Sequence, residues 1–188
     1  MPASSRSWAS STRRSQQRTA TELDPLDADA WFTLGFWYRS AGKLALARSA
    51  MTRALEISPE LDNGRCGLGL IALHEGAFAD ALERFRECPN EKLRLQGEAL
   101  ALHSLGRRVE AQRSLDRLIK RYMEVAPFLI AGVYAWRGQR SRALDWVERA
   151  YALRDPRTVQ IKHNPILRSL RGEPRWDALL RKMNLPPD

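Results

Sequence analysis

A glycine that precedes an alanine by five residues recurs four times along this chain of 188 residues. The four pairs are Gly42 and Ala47, Gly76 and Ala81, Gly106 and Ala111, and Gly138 and Ala143. Successive glycines are 34, 30 and 32 residues apart. A period of this length is typical of repeat proteins, whose units bury their apolar faces only against their neighbours. The chain is therefore predicted to stack short units rather than to fold around one central core.

The residues around these pairs predict two helices in each unit. Glycine ends a helix at low cost because it readily adopts a positive φ angle. The small alanine allows the two helices to cross closely, and large side chains fill the remaining space. These large residues are Trp31, Tyr38, Phe85 and Tyr134. Pro89 is predicted to end the second helix of the second unit early, because proline lacks an amide proton and clashes with the preceding turn.

The clearest unit, residues 29–59, resembles the tetratricopeptide repeat. It follows the pattern W-x2-L-G-x2-Y…A-x3-F…A…P, with methionine at the phenylalanine position. The matching residues are Trp31, Leu34, Gly35, Tyr38, Gly42, Ala47, Met51, Ala54 and Pro59. The resemblance implies an all-α fold, a right-handed α-α superhelix of about four helix-turn-helix repeats. Residues 26–155 would hold these repeats, at about 28–61, 62–91, 92–123 and 124–155.

The segments that flank the repeats carry their own signals. Residues 156–188 are predicted to form C-terminal capping helices, one of which opens at Pro174 and carries Trp176. This segment resembles the closing part of tetratricopeptide regions in bacterial signalling proteins. Residues 10–25 are predicted to be a partial repeat helix, because Ala20 and Pro25 lie 34 residues before Ala54 and Pro59. Residues 1–9 are predicted to be disordered.

The formal net charge of +9 raises the question of a nucleic-acid partner. The helix after Gly106 carries four basic residues on one side, Arg113, Arg117, Lys120 and Arg121. A solvated outer face is the favoured interpretation, because the arginines are scattered along the chain and Glu110 dilutes this stripe. No apolar run is long enough to cross a bilayer and residues 1–17 lack an apolar signal region, so a cytoplasmic location is expected.

Groups able to do chemistry are few. Cys66 and Cys88 are too few for a disulfide framework or a four-ligand zinc site, so they are predicted to be unpaired and to pack between helices, in a reducing compartment. The glycines at residues 64–70 lack the strand and lysine of a phosphate-binding loop. The sequence thus predicts no catalytic residue, cofactor or metal.

In the tetratricopeptide family the first helix of each repeat lines a concave groove that holds peptides. By repeat register, this groove presents Phe32, Phe36, Arg39, Cys66, Leu70, His74, Gln96, Leu100, His103, Phe128 and Trp136. Arg39 is expected to anchor a carboxylate, and the histidines are interpreted as polar lining rather than metal ligands. Co-chaperone members grip a terminal carboxylate with lysine and asparagine, whereas Phe32, Phe36 and Gly67 occupy those places here. The alternative is that the C-terminal segment covers some of these side chains.

The resemblance therefore implies a non-catalytic protein–protein interaction module that binds a peptide or partner segment in its groove. One alternative is the regulatory region of a larger bacterial signalling or transcriptional protein with a cyclase, kinase or winged-helix domain. The size of the native polypeptide in source cells separates these two hypotheses. A third hypothesis, a basic nucleic-acid-binding protein, requires salt-sensitive binding to generic DNA or RNA.

Overall fold

The computed structural model describes residues 24–61 and 63–186, and within these ranges the secondary structure is helical, without strands. The predictions for residues 1–23 lie outside the described residues. Eight helices form four helix-turn-helix pairs. They are α1 (Ala28–Ser40) with α2 (Leu44–Ile57), α3 (Gly64–His74) with α4 (Phe78–Arg86), α5 (Glu91–Ser104) with α6 (Arg108–Tyr122), and α7 (Pro127–Trp136) with α8 (Arg140–Ala152). Two 3-10 segments, Pro156–Gln160 and Pro165–Leu170, and α9 (Pro174–Lys182) follow.

The turn inside each pair is built around the predicted glycine. The φ angles are +73° at Gly42, +81° at Gly76, +75° at Gly106 and +73° at Gly138. In the first turn, the amides of Gly42 and Lys43 donate to the carbonyls of Arg39 and Tyr38, which satisfies carbonyl groups at the end of α1. The sequence prediction for these four glycines is confirmed.

Small residues set the spacing between helices. Ala47, Ala81, Ala111 and Ala143 have no exposed surface. Phe85 of α4 is 1% exposed and fills the space beside two glycines, Gly69 of α3 and Gly97 of α5. A Cβ atom built on Gly97 would lie 2.0 Å from Cδ1 of Phe85, so only glycine allows this approach. Tight packing of this kind joins the second pair to the third.

The pairs stack in chain order. The second helix of each pair packs on the first helix of the next, and α1, α3, α5 and α7 also contact one another in sequence along one face. A continuous apolar core runs from Ala72 to Ile166, and a second cluster joins α7 and α8 to the C-terminal segment around the fully buried Trp176. This arrangement confirms the predicted all-α helical-repeat solenoid with an apolar C-terminal cap.

The chain segment 156–170, here called the strap, crosses the face formed by the first helices. At the last repeat it is fixed by Ile166 and Leu167, which are buried, and by Ser169, whose hydroxyl donates to the Ala135 carbonyl at 3.2 Å. At its other side, the ring of His163 lies edge-on to Trp37 of α1 with a centroid distance of 5.7 Å. The strap therefore connects the last repeat to the first.

The prediction of unpaired cysteines is wrong. Cys66 of α3 and Cys88 form a disulfide, and both residues are buried. Helix α4 ends at Arg86 before Pro89, and the chain then turns back toward α3, which places the two Cα atoms 5.2 Å apart. The expectation of a reducing compartment depended on free thiols, since disulfides persist in oxidising environments, and it loses that basis.

None of the helices in the described ranges is long and apolar enough to cross a membrane.

Candidate functional site

A pocket of about 290 Å³ lies on the concave face, between the first helices of all four pairs and the strap. We call it the concave pocket. Its apolar lining comes from Phe32, Phe36, Met51, Cys66, Gly67, Leu70, Leu93, Phe128, Leu129 and Ile166. Its polar lining comes from Arg39, Asn63, Asn90, Lys92, Gln96, Arg157, Gln160 and Asn164. An apolar floor with convergent polar groups is typical of a ligand-binding pocket.

The structure brings seven of the eleven predicted groove residues together. The residues that line the concave pocket are Phe32, Phe36, Arg39, Cys66, Leu70, Gln96 and Phe128. Phe32, Phe36 and Leu70 are half-buried and keep part of their apolar surface exposed, whereas Phe128 is only 2% exposed. The α1 residues lie on one face because positions four apart on a helix are neighbours. All four repeats and the strap thus contribute to the site, and the half-buried residues Phe32, Phe36 and Leu70 come from the first two repeats.

Four predicted residues do not line this pocket: His74, Leu100, His103 and Trp136. Leu100 has no exposed surface and belongs to the core, because α5 packs against helices on both sides along the stack. Trp136 donates from Nε1 to the Ser104 hydroxyl at 2.9 Å, and its ring meets that of His74 at 5.8 Å. His74, Ser104 and Trp136 form a separate, partly buried cluster.

His74 is held in a neutral form. Its Nδ1 lies 2.6 Å from the Leu70 carbonyl, which selects the tautomer that donates from Nδ1. Burial, with smaller contributions from the charges of Arg39 and Arg168, lowers the pKa of His74 to about 4, although the hydrogen bond to the Leu70 carbonyl opposes this shift. The Nε2 atom is buried without a hydrogen-bond partner. Burial, together with Arg137 and Arg108, also lowers the pKa of His103.

Arg39 is the most deeply buried cation of the concave pocket. Its residue is 5% exposed, and its guanidinium carbon lies 5.3 Å from the centroid of the Phe36 ring. Burial lowers the pKa of Arg39 to about 10, which still leaves the side chain charged at neutral pH. Its Nη1 atom is buried and has no hydrogen-bond partner. The pocket therefore contains a desolvated positive charge.

The strap supplies pocket residues that sequence reasoning missed, namely Arg157, Gln160, Asn164 and Ile166. Arg157 pairs with the buried Asp155 at 3.3 Å. Lys92 and Leu93 were missed as well, although the helical period that placed Gln96 at the groove would have reached them one turn earlier. Gln96 itself donates from Nε2 to the Leu129 carbonyl at 3.1 Å, which ties α5 to α7 beneath the pocket.

The basic stripe on α6 is partly neutralised. Arg121 pairs with Glu91, Arg117 lies 3.6 Å from the same carboxylate, and the Tyr122 hydroxyl donates to it at 2.6 Å. Hydrogen bonding by Tyr122 and the neighbouring arginines lower the pKa of Glu91. The counter-charge of this exposed stripe is thus Glu91, whereas Glu110, which the sequence suggested for that role, pairs with Arg107.

Stacked helix pairs with a pocket on their inner face define the chain as a helical-repeat solenoid. A sequence model of the tetratricopeptide repeat family matches residues 28–61, which span α1, α2 and Pro59. Residues 28–61 are therefore similar to a tetratricopeptide repeat, and repeats of this family are generally non-catalytic modules that bind protein partners. A comparison of the chain with curated proteins found no match. The likeness of the C-terminal segment to bacterial signalling proteins stays a prediction.

Proposed function

We propose that this chain is a non-catalytic protein–protein interaction module that binds a segment of a partner protein in the concave pocket. The observation that carries the proposal is the incomplete burial of Phe32, Phe36 and Leu70 at the pocket. When a ligand covers apolar surface in a concave site, removing that surface from water contributes roughly 25 cal/mol of favourable free energy per Å². Aromatic and arginine side chains supply much of the binding energy at interfaces, and the pocket offers both.

The strap restricts how a partner binds. It already contacts α7 and reaches Trp37 of α1, so it occupies much of the face on which an extended peptide would lie. Side chains of the partner enter the remaining space beside α1, α3 and the start of α5, against the strap residues Gln160 and Asn164. His74, His103 and Trp136 lie outside this space. Binding is therefore expected to depend on Phe32 and Phe36 more than on the far end of the solenoid.

The test is an affinity pull-down from nuclease-treated source-cell lysate, washed at low and then high salt, with bound proteins identified by mass spectrometry. The bait proteins are the wild type, a Phe32→Ala/Phe36→Ala variant, and Val109→Ala as a matched control. Val109 is 66% exposed and lies on α6, on the opposite side of the helix pair. We expect a partner captured by the wild type and the control to be lost from the double variant.

The captured partner is then purified and titrated against the same three proteins. Equal affinity of all three, with unchanged circular dichroism, would remove the concave pocket as the docking site. Capture from a parallel untreated lysate that is absent from the nuclease-treated lysate would favour the basic nucleic-acid hypothesis instead.

A further inference from the structure

We propose that the segment bound in the concave pocket is acidic, and that one of its side-chain carboxylates pairs with Arg39. This inference rests on the proposed function, because it names the chemistry of the partner for the same pocket. The proposal requires a positive charge in the pocket that has no counter-charge in the free protein. Three observations support this requirement: the contacts of Arg39, the composition of the pocket wall and the charge of the rest of the chain.

Arg39 is a buried cation that no described carboxylate neutralises. Its residue is 5% exposed, its Nη1 atom lacks a hydrogen-bond partner, and its pKa is shifted by burial alone, with no acidic neighbour opposing that shift. The face of Phe36, 5.3 Å away, gives partial compensation through a cation–π contact. A charge taken out of water without a partner is costly, and a bound carboxylate would remove that cost.

Several arginines elsewhere in the described chain pair with nearby carboxylates. Examples are Arg84 with Asp80 at 2.8 Å, Arg107 with Glu110 at 2.7 Å, and Arg175 with Asp145 at 2.8 Å. These pairs are exposed, where a counter-charge matters least. The unpaired Arg39 stands instead at the place where a counter-charge matters most. Its carboxylate is therefore expected to come from another molecule.

The pocket wall is complementary to a negative segment. Among the described residues that line it, three are cationic and none is Asp or Glu. Lys92 on α5 is half-buried and forms no ion pair within the described chain, whereas Arg157 is already paired with Asp155. Side-chain amides of Asn63, Gln160 and Asn164 can donate further hydrogen bonds to carboxylates.

The chain's own N-terminal residues do not fit as the occupant. Residues 1–23 contain four arginines and no lysine, and their sole acidic residue is Glu22. Their net positive charge would add repulsion to a pocket that is already cationic. A separate acidic partner suits both the pocket and the formal net charge of +9, which steers acidic molecules toward the chain.

The first experiment selects ligands without assuming a sequence. A phage library of random 12-residue peptides is panned on the disulfide-intact protein and counter-selected on the Arg39→Met variant. Methionine keeps an unbranched side chain at this position but removes the charge. We expect recovered peptides to carry Asp or Glu beside an aromatic or aliphatic residue. Recovery of neutral or basic peptides, or of no binder, would overturn the inference.

The second experiment measures the pairing directly. The best peptide is synthesised with blocked ends, in its acidic form and with Gln or Asn replacing the acidic residues, and titrated by fluorescence anisotropy. We expect Arg39→Met to weaken binding of the acidic form by at least about tenfold, since loss of one partner of a buried charge pair is costly. Replacing the acidic residues of the peptide should weaken its binding to the wild type by a similar factor. The same replacement should weaken its binding to Arg39→Met only slightly.

Two further variants provide reference values for the loss of peptide affinity. Lys92→Gln should weaken binding by roughly two- to threefold, as expected for a more exposed pair. Arg137→Met is the matched control, because Arg137 is also partly buried with unpartnered Nε and Nη2 atoms but lies outside the pocket. The Arg137→Met protein should bind the acidic peptide with the same affinity as the wild type. Arg39→Met should melt at or above the wild-type temperature. A lower melting temperature would show that Arg39 stabilises the free protein, and would overturn the inference.

The outcomes separate this inference from the proposed function. Acidic and neutral peptides that bind the wild type equally, but bind Phe36→Ala weakly, would leave the docking site in place and remove the carboxylate. Acidic peptides whose binding is unaffected by both Phe36→Ala and Arg39→Met would remove both. Displacement of the acidic peptide by a labelled 20-nucleotide single-stranded RNA that itself requires Arg39 would assign the charge to a nucleic acid instead.

Discussion

At the scale of single residues, Gly97 shows how closely the helices of neighbouring repeats approach. A methyl group at this position would lie 2.0 Å from Cδ1 of the buried Phe85. We expect Gly97→Ala to destabilise the protein by about 1–3 kcal/mol, because overpacking forces side chains and backbone to move. Urea denaturation checks this value.

The double variant Phe85→Leu/Gly97→Ala is the control for this explanation. A smaller side chain at residue 85 leaves room for the new methyl group, so the double variant should lose less stability than the two single variants added together. Strict additivity would mean that Gly97 matters for another reason, such as its backbone conformation.

His74 gives a second prediction at this scale. Its pKa is lowered from an ordinary value near 6.5 to about 4, so the unfolded chain takes up the proton more readily than the folded protein. The stability that neutral His74 contributes is present above pH 6.5 and is lost as the pH falls toward 4. The loss amounts to about 3 kcal/mol at most, from roughly 1.4 kcal/mol per pKa unit.

Thermal melts between pH 7.5 and 4.5 test this effect with His74→Asn. The variant should flatten most of the pH dependence above pH 4.5, although His103, whose pKa is also lowered, keeps a smaller slope of the same sign. Glu91 and Glu110 have lowered pKa values too, and as carboxyls they affect stability only at lower pH. An unchanged slope in His74→Asn would contradict the assignment.

At the scale of the elements, the disulfide links α3 to the turn that follows α4. It closes a loop with a sequence separation of 22 residues, which by the chain-entropy relation stabilises the fold by about 3 kcal/mol. Cys66→Ala/Cys88→Ala should therefore lower the free energy of unfolding by roughly that amount. Chemical denaturation of the variant and the oxidised wild type measures the difference.

Access to the disulfide provides a related check. Cys66, at the wall of the concave pocket, is 2% exposed and Cys88 is 0% exposed, so a thiol reductant has little access to either sulfur while the repeat is folded. Reduction by dithiothreitol, followed by alkylation and mass spectrometry, should be slow in buffer and accelerate in moderate urea. Fast reduction without urea would mean that the second repeat opens locally.

The helices also show why local sequence predicts some features and not others. The four turns and the buried alanines follow from glycine and alanine at a fixed spacing, and the structure confirms them. The pairing of Cys66 with Cys88 depends on how the chain returns after the short helix α4, and no local pattern carries that information. Leu100 has the right period for the groove, yet the helices on both sides of α5 bury it.

At the scale of the whole molecule, the strap couples the two ends of the solenoid. Its position depends on the summed curvature of four repeats, which is why the sequence pattern that placed Phe32, Phe36 and Arg39 at the pocket missed Gln160 and Asn164. Solenoids generally unfold as a chain of nearest neighbours. Contact between His163 and Trp37 adds a connection between non-neighbouring repeats.

We expect His163→Ala to release this connection. Amide hydrogen exchange followed by mass spectrometry should show faster exchange in α1 and in the strap, while α8 keeps its protection. Val159→Ala, at a strap side chain that is 77% exposed, is the control for a general effect on the strap. Faster exchange throughout the chain would indicate loss of global stability rather than an opened end.

The length of the strap also limits the number of repeats in the solenoid. A segment of fifteen residues has a fixed reach, and here it spans the distance from the last helix pair to α1. Inserting a fifth repeat would move the ends apart beyond that reach, and deleting one would leave the segment slack. The number of repeats, which is freely variable in an open solenoid, is thereby tied to the length of two short 3-10 segments and the turn that joins them.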